Sequence, residues 1–197
     1  NDGRKIWLSP DEVTVKRDEK GRALSALETK TGLLVFSGGI TKMSKSKNNG
    51  VDPQTTIDRF GADTVRLFTM FAAPPEQTLE WSDDGVLGAH RFLRKLWKMV
   101  QEHVESGQSE PLDKDNLNPK QKDLRRKTHE TILKVSDDFG RRNTFNTAIA
   151  AVMELLNEVA KHNDHSEQTR ATRHEALENA ILPVSYTHLT LPTNCVV

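Results

Sequence analysis

The apolar residues of this chain change their period once, at Asp52-Pro53, and that change limits the folds open to it. Before it, Val13 and Val15 alternate with polar neighbours, Ala23 to Leu27 is a weaker run, and Leu33-Leu34-Val35-Phe36 is a short apolar one. Asp18-Glu19-Lys20-Gly21 and Lys30-Thr31-Gly32 lie between these runs and supply turn chemistry. A three-stranded antiparallel meander is therefore expected over residues 6–36, too small to hold a deep active site alone. After Asp52 the apolar period is about 3.6 residues, which is helical.

Asp52 is expected to cap a helix that starts at Pro53 and ends at Gly61. Asp63 is expected to cap the next, with Val65, Phe68, Phe71 and Ala72 as its apolar face, until Pro74-Pro75 stops it. Glu76 to Asp84, with Trp81, reads as a connector and as the domain boundary. Val86, Ala89, Leu93, Leu96, Val100 and Val104 then form a stripe on a helix roughly 33 Å long at about 1.5 Å per residue. Asn118-Pro119 restarts a helix with a thin stripe, Leu124, Thr131, Ile132 and Val135, expected to end at Gly140. Phe145, Ala148, Ile149, Val152, Leu155, Leu156 and Val159 make the strongest core element, and Ala176, Leu177, Ala180 and Ile181 the last, expected to stop at Pro183. Met153 and Trp97 read as core. The expected fold class is α+β, mostly α: a small antiparallel β meander and a lysine loop, followed by an antiparallel helical bundle.

Val184 to Val197 holds no Lys, Arg, Asp or Glu, yet has the only tyrosine, Tyr186, and the only cysteine, Cys195. Residues 183–197 are accordingly expected to be a non-native tail. The single cysteine excludes an internal disulfide framework and a cysteine zinc site within one chain. Lys plus Arg equals Asp plus Glu at 28 each, so net charge selects no partner and only local clusters can. No apolar run approaches the roughly 20 residues that span a bilayer, and no signal-peptide pattern opens the chain. The chain opens at Asn1 without a Met, and a cytoplasmic, monomeric piece of a larger protein is the expectation.

One polar stretch has no part in either period: Thr41-Lys42-Met43-Ser44-Lys45-Ser46-Lys47-Asn48-Asn49-Gly50. Ammonium and hydroxyl groups on a loop suit the gripping and neutralising of phosphate oxygens. The alternative is an ordinary solvated lysine turn. Gly38-Gly39 with Lys42 lacks the Gly-Lys-Ser/Thr ending of a P-loop, and the chain has no Gly-x-Ser-x-Gly elbow and no HExxH. His162 and His165 lack a third ligand, so no metal site is assigned. Asp83-Asp84 and Asp137-Asp138 could be acid/base pairs, but helix capping for the first and simple solvation for the second explain them better.

Lys42-Met43-Ser44-Lys45-Ser46 resembles the KMSKS motif of class I aminoacyl-tRNA synthetases in all five letters. The flanking Val51-Asp52-Pro53, Arg59-Phe60-Gly61-Ala62-Asp63-Thr64-Val65-Arg66 and Thr78-Leu79-Glu80-Trp81 look like the bacterial leucyl-tRNA synthetases. Valyl and isoleucyl enzymes usually follow the motif with Gly-Asn rather than Asn-Asn-Gly. The resemblance runs from Trp7 to about Leu182. It implies that residues 1–40 match the leucine-specific insertion, 41–75 the end of the catalytic domain with its stem-contact helices, and 76–182 part of an anticodon-binding-type bundle.

The resemblance also implies a reaction: ATP-dependent activation of leucine to leucyl-adenylate, then transfer to tRNA(Leu). Lys45 would be catalytic, compensating charge on the departing pyrophosphate, with Lys42, Met43, Ser44 and Ser46 completing the ATP-binding loop and Mg²⁺ accompanying the nucleotide. Gly38, Gly39 and Gly50 would let the loop move. The family's HIGH motif has no counterpart here, so the chain alone is expected to be inactive. Basic groups line two helices (Arg91, Arg94, Lys95 and Lys98; Lys120, Lys122, Arg125, Arg126 and Lys127), and Arg141-Arg142 follow a glycine. Arg125, Arg126, Arg141 and Arg142 are the candidate tRNA contacts. Two rivals stay open: a non-catalytic RNA-binding helical module, and a class I synthetase for valine or isoleucine.

Overall fold

The structure, a computed structural model, describes residues 5–19, 23–39, 41–162, 164 and 166–187. The Lys20-Gly21 turn, His165, Cys195 and most of the expected tail lie outside these residues. Two compact units divide between Thr56 and Ile57.

In the first unit, β1 (Val13–Arg17), β2 (Ala23–Glu28) and β3 (Leu34–Val35) form an antiparallel sheet in the order β1-β2-β3. This is the expected meander. Val13 faces Glu28 and Val15 faces Ala26, and the register shifts between Lys16 and Arg17. The third strand is shorter than expected. Only Leu34 and Val35 pair with β2, and Leu33, Leu34 and Phe36 are exposed. A strand this short has few ladder hydrogen bonds, and the chain then leaves the sheet towards the lysine loop.

Helix α1 (Pro53–Phe60) begins where its sequence signal places it. The Asp52 carboxylate accepts the Thr55 N–H at 3.1 Å and the Thr55 hydroxyl at 2.7 Å, which answers two polar groups of the first turn. The Thr55 hydroxyl is also the main reason that the Asp52 carboxyl lies below its ordinary pKa. Gly61, at φ +82°, ends α1 and is the N-cap of α2 (Ala62–Ala72). Asp63 is thus inside the first turn of α2 and is not its cap. A residue with positive φ is needed at the junction, and glycine adopts that conformation without a Cβ penalty.

The second unit continues with α3 (Asp83–Glu105), α4 (Pro119–Asp137), α5 (Phe145–Val159) and α6 (Glu167–Thr187). Helix α4 packs on α5 and α6, α5 on α6, and α2 on α3 and α5. The core is centred on Leu67, Leu124, Leu155, Leu156 and Val159, each at most 1% exposed. Burying such side chains is worth about 1.5–3 kcal/mol each. Helix α5 buries the residues expected of it except Phe145, which is only half-buried and packs edge-on against Phe139, and it buries Ala151 in addition.

Other faces are rotated from expectation. In α2 the buried residues are Thr64, Leu67 and Phe68, whereas Phe71 and Ala72 are exposed. In α3 they are Val86, Ala89, Phe92, Leu96, Met99 and His103, whereas Val104 is 68% exposed and Trp97, read as core, is 72% exposed. Periodicity alone could not choose between two overlapping apolar stripes on α3. The close approach of Gly85 to Phe68 shows how the choice is made: a Cβ at Gly85 would lie 2.7 Å from the Phe68 ring. That contact turns the Ala89-Phe92-Leu96 side of α3 towards α2. Met153 is partly buried against the core, as expected.

Two helix ends also differ. Helix α4 does not stop at Gly140. It passes into a π-helical turn at Asp138–Arg142, which ends at Asn143 in the left-handed region (φ +53°). Helix α6 does not stop at Pro183 but runs through it to Thr187, and Val184 is buried in the core at 2% exposure. Proline removes one N–H and its ring crowds the carbonyl four residues earlier. Here the burial of Val184 and Ala180 on the same face offsets that loss.

One side-chain cap and one histidine pair were not legible from the sequence. Arg170 on α6 donates from one guanidinium nitrogen to the carbonyls of Ser106, Gly107 and Gln108 at 2.8, 2.9 and 3.0 Å, closing the C-terminus of α3. Beside it His103 Nε2 and His174 Nδ1 lie 3.1 Å apart.

Candidate functional site

The Thr41–Gly50 loop belongs to the first unit and is ordered by its own side chains. Ser44 has extended backbone (φ −153°, ψ 137°), Lys45–Lys47 make one 3-10 turn, and Asn48 ends it in the left-handed region at φ +48°. The turn closes through Lys47 N–H to the Ser44 carbonyl at 3.1 Å and Asn48 N–H to the Lys45 carbonyl at 3.2 Å. Asparagine is one of the few residues other than glycine that visits the left-handed region at small cost.

Asn49 joins the two ends of the loop. Its amide oxygen accepts the Ser44 N–H at 2.8 Å, and its amide nitrogen donates to Thr41 Oγ1 at 3.1 Å and to the Lys42 carbonyl at 3.3 Å. The Ser44 and Ser46 hydroxyls lie 2.7 Å apart. Lys47 packs over the Trp7 ring at 5.9 Å from its centroid, within cation–π range. Trp7 also lies against Gly38, where an added Cβ would meet the indole at 3.5 Å.

The five candidate loop residues therefore stand together on one short ordered segment. Lys42, Lys45 and Ser46 are exposed, Ser44 is half-buried, and Met43 is 45% exposed. Neither the Lys42 nor the Lys45 ammonium has a carboxylate partner among the described residues. Two free ammonium groups next to a hydroxyl pair can take up the oxygens of a phosphate or pyrophosphate. Sequence reasoning missed Asn49 and Trp7. An asparagine three residues past the motif had only its letter to offer, and Trp7 is 35 positions before Lys42 in the chain.

The basic groups of the second unit are placed differently. Arg125 Nε lies 3.2 Å from Glu175, and both side chains are largely covered. Arg126 pairs with Glu130 at 2.9 Å and Asp123 at 3.4 Å. Arg141 pairs with Asp137 at 2.6 Å, and Arg142 lies 3.5 Å from Asp138. Arg126, Arg141 and Arg142 remain more than half exposed. Of the α3 cations, Lys95 donates to Asn157 at 2.6 Å and Lys98 pairs with Glu102 at 3.6 Å.

Asp138 is not the solvated carboxylate expected of it. It is 1% exposed and accepts from Thr147 Oγ1 at 2.6 Å, Thr144 Oγ1 at 3.0 Å and Lys134 Nζ at 3.1 Å. Burial alone would raise its pKa, but the hydrogen bonds from Thr147, Lys134 and Thr144 outweigh it and hold the carboxyl below its ordinary value. The signal was available in part, since Thr144 and Thr147 follow at helix-end spacing. Asp83 accepts from the Trp81 indole N–H at 2.9 Å, and Ser82, rather than either aspartate, caps α3 through the Gly85 N–H at 3.1 Å. His162 Nε2 lies 3.6 Å from Glu158. Among the described residues no three His, Cys, Asp or Glu side chains are grouped to hold a metal ion, and no helix is long and apolar enough to cross a membrane.

Residues 29–82 match the family model described as tRNA synthetases class I (I, L, M and V). The chain is 64% identical over 183 residues to the leucine–tRNA ligase of Marinobacter nauticus, covering 93% of this chain and 21% of that protein. It is 64% identical over 182 residues to the leucine–tRNA ligase of Chromohalobacter salexigens, covering 92% and 21%. The chain thus spans about a fifth of the length of these relatives. In fold it is similar to the LeuRS of Agrobacterium radiobacter K84, solved as a ternary complex with tRNA and LeuAMS, with a TM-score of 0.65 at 24% identity over 75% of this chain and 19% of that one.

Proposed function

We propose, from the premise that this chain is homologous to the leucine–tRNA ligases of the class I tRNA synthetase family, that it supplies the ATP-phosphate loop and part of the tRNA-binding bundle of such an enzyme. The observation that carries the proposal is that Lys42 and Lys45, whose ammonium groups have no carboxylate partner among the described residues, share one braced loop with the Ser44–Ser46 hydroxyl pair. In this reading residues 1–40 are the insertion, 41–75 the end of the catalytic domain and 76–182 the bundle.

In the first step a leucine carboxylate oxygen attacks the α-phosphorus of ATP, and the bond from that phosphorus to the bridging oxygen of pyrophosphate breaks. Negative charge grows on the departing oxygens. Lys45 compensates it, and Lys42 and the two serine hydroxyls assist. Donors whose contacts strengthen as that charge develops raise the rate rather than merely tightening ATP binding. The ribose hydroxyl at the tRNA end then attacks the leucyl carbonyl of the adenylate and loses its proton, and the carbonyl–phosphate bond breaks to release AMP. The divalent cation that accompanies ATP has no ready cluster of ligands among the described residues.

Exposed Arg126, Arg141 and Arg142 are assigned to tRNA phosphates. The pairs of Arg126 with Glu130 and of Arg141 with Asp137 are solvent-accessible and worth only about 0–1 kcal/mol, so a phosphate can displace them, whereas Arg142 reaches a phosphate with its exposed half while it lies 3.5 Å from buried Asp138. Arg125 fits this role least, because it is covered and held by Glu175.

The test is Lys45→Ala in a full-length leucine–tRNA ligase carrying these residues, read by leucine-dependent ATP–pyrophosphate exchange. The loss of one such donor costs about 3 kcal/mol, so turnover is expected to fall a few hundredfold with the leucine KM little changed. Unchanged exchange in the variant would sink the assignment of Lys45. The 197-residue chain by itself, which has no counterpart of the HIGH motif, is expected to show no leucine-dependent exchange.

A further inference from the structure

We infer that Asn49 is a positioning residue for the loop lysines, acting through the backbone on either side of Met43. The inference deepens the proposed function and rests on the reading of Lys42 and Lys45 as phosphate ligands. Asn49 uses both ends of one amide: its oxygen takes the Ser44 N–H, and its nitrogen gives to the Lys42 carbonyl and to Thr41 Oγ1. The two peptide units on either side of Met43 are thereby fixed relative to each other: one carries the Lys42 carbonyl, and the other leads through Ser44 into the 3-10 turn that holds Lys45. Both lysines are exposed and have no carboxylate partner among the described residues, and each carries a flexible four-carbon stem. For such side chains the directions in which they leave the backbone decide where the ammonium groups can meet.

The local backbone is arranged around this amide. Asn48 in the left-handed region reverses the chain so that Asn49 points back across the loop. On the far side Lys47 is held over Trp7, so Asn49 ties the loop to itself while Lys47 ties it to the chain before the sheet. Aspartate would keep the bond from Ser44 N–H but lose both donations, and it would set a carboxylate among lysines that function by being unpaired. Glutamine is longer by one methylene and would not close the same ring.

The test uses a full-length leucine–tRNA ligase carrying these residues, with Asn49→Ala, Asn49→Asp, Lys45→Ala and the Asn49→Ala/Lys45→Ala pair. A misplacement of about 1 Å at a reacting group is worth on the order of 10²-fold in rate. Asn49→Ala is therefore expected to lower the exchange kcat by roughly 10- to 100-fold, with the leucine KM and the melting temperature unchanged. Asn49→Asp is expected to do no better. Because Asn49 acts through Lys45, the double variant is expected to be no slower than Lys45→Ala alone, whereas an independent structural role would multiply the two losses. In the 197-residue chain, Asn49→Ala is expected to speed tryptic cleavage after Lys42 and Lys45 while cleavage elsewhere keeps its rate. Wild-type kcat in Asn49→Ala beside a slow Lys45→Ala would overturn the positioning role and leave the loop's function standing. Wild-type rates in both variants would overturn the two together.

Discussion

Replacing Asp138 by alanine removes a buried carboxylate at the junction of α4 and the π-helical turn. The side chain is 1% exposed, and it satisfies two threonine hydroxyls at 2.6 and 3.0 Å and an ammonium at 3.1 Å, with the Arg142 guanidinium at 3.5 Å. Breaking a buried pair by removing one partner costs about 3–5 kcal/mol. Lys134 and Arg142 are each about half exposed and can turn to water, which places the loss at the lower end, about 3 kcal/mol. For a unit of this size that corresponds to a fall in Tm of roughly 6–12 °C. Asp138→Asn keeps the shape and one acceptor, and should lose about half as much. The pH dependence gives a sharper check. The folded pKa of Asp138 is depressed, so its contribution is fully present above the unfolded value near 3.8 and disappears as pH falls through the folded value. Urea unfolding of the wild-type chain and Asp138→Asn between pH 7 and pH 3 should therefore show a stability gap that is constant down to about pH 4 and narrows below it. A gap that is absent at pH 7, or that keeps its full size at pH 3, would refute the account of Asp138 as a charged structural anchor.

Leu155→Ala in the centre of α5, where the side chain is 1% exposed, should cost about 2–5 kcal/mol in urea unfolding because a cavity replaces it. Asn118→Ala should cost about 1 kcal/mol, since Asn118 Oδ1 accepts the Gln121 N–H at 2.9 Å and Gln121 returns the bond at 2.8 Å. His103 has its pKa lowered by burial first and then by His174, Arg173 and Arg170, so its neutral form is the folded one. Stability should accordingly be complete above about pH 6.5 and fall as pH drops towards the folded value, and His103→Gln should flatten that limb of the unfolding profile.

The sequence was most legible where one local interaction decides the outcome. Pro53 behind Asp52, Pro119 behind Asn118 and the strong stripe of α5 each found their expected place, because a cap or a complete apolar face needs no knowledge of its partner. The failures are contacts between distant residues. Whether Trp97 or Phe92 faces inward depends on where Phe68 meets Gly85, and neither neighbour can be read from α3 alone. Pro183 is tolerated because Val184 is buried, which is a property of the bundle and not of the Leu-Pro-Val letters. The first unit shows the same division. The motif could be read by its letters, yet the amide that ties its residues together and the indole beneath Lys47 came only from the geometry.

That geometry explains a feature of composition that net charge conceals. The chain is neutral overall, with acids paired to bases along its helices, as at Arg126 with Glu130 and Arg141 with Asp137. Between Glu28 and Asp52, however, no acidic residue occurs, although Lys30, Lys42, Lys45 and Lys47 all lie there. A single aspartate within about 4 Å of Lys45 would attract it by about 1 kcal/mol in water and by several at a partly covered surface, enough to compete with an incoming phosphate. Asparagine at positions 48 and 49 performs the two tasks for which aspartate is the common alternative, the left-handed turn and the side-chain brace, without adding that charge. The loop thus keeps order and positive charge together. Order supplied by carboxylates would have neutralised the ammonium groups, and ammonium groups without the amide brace would have had no fixed directions from which to act.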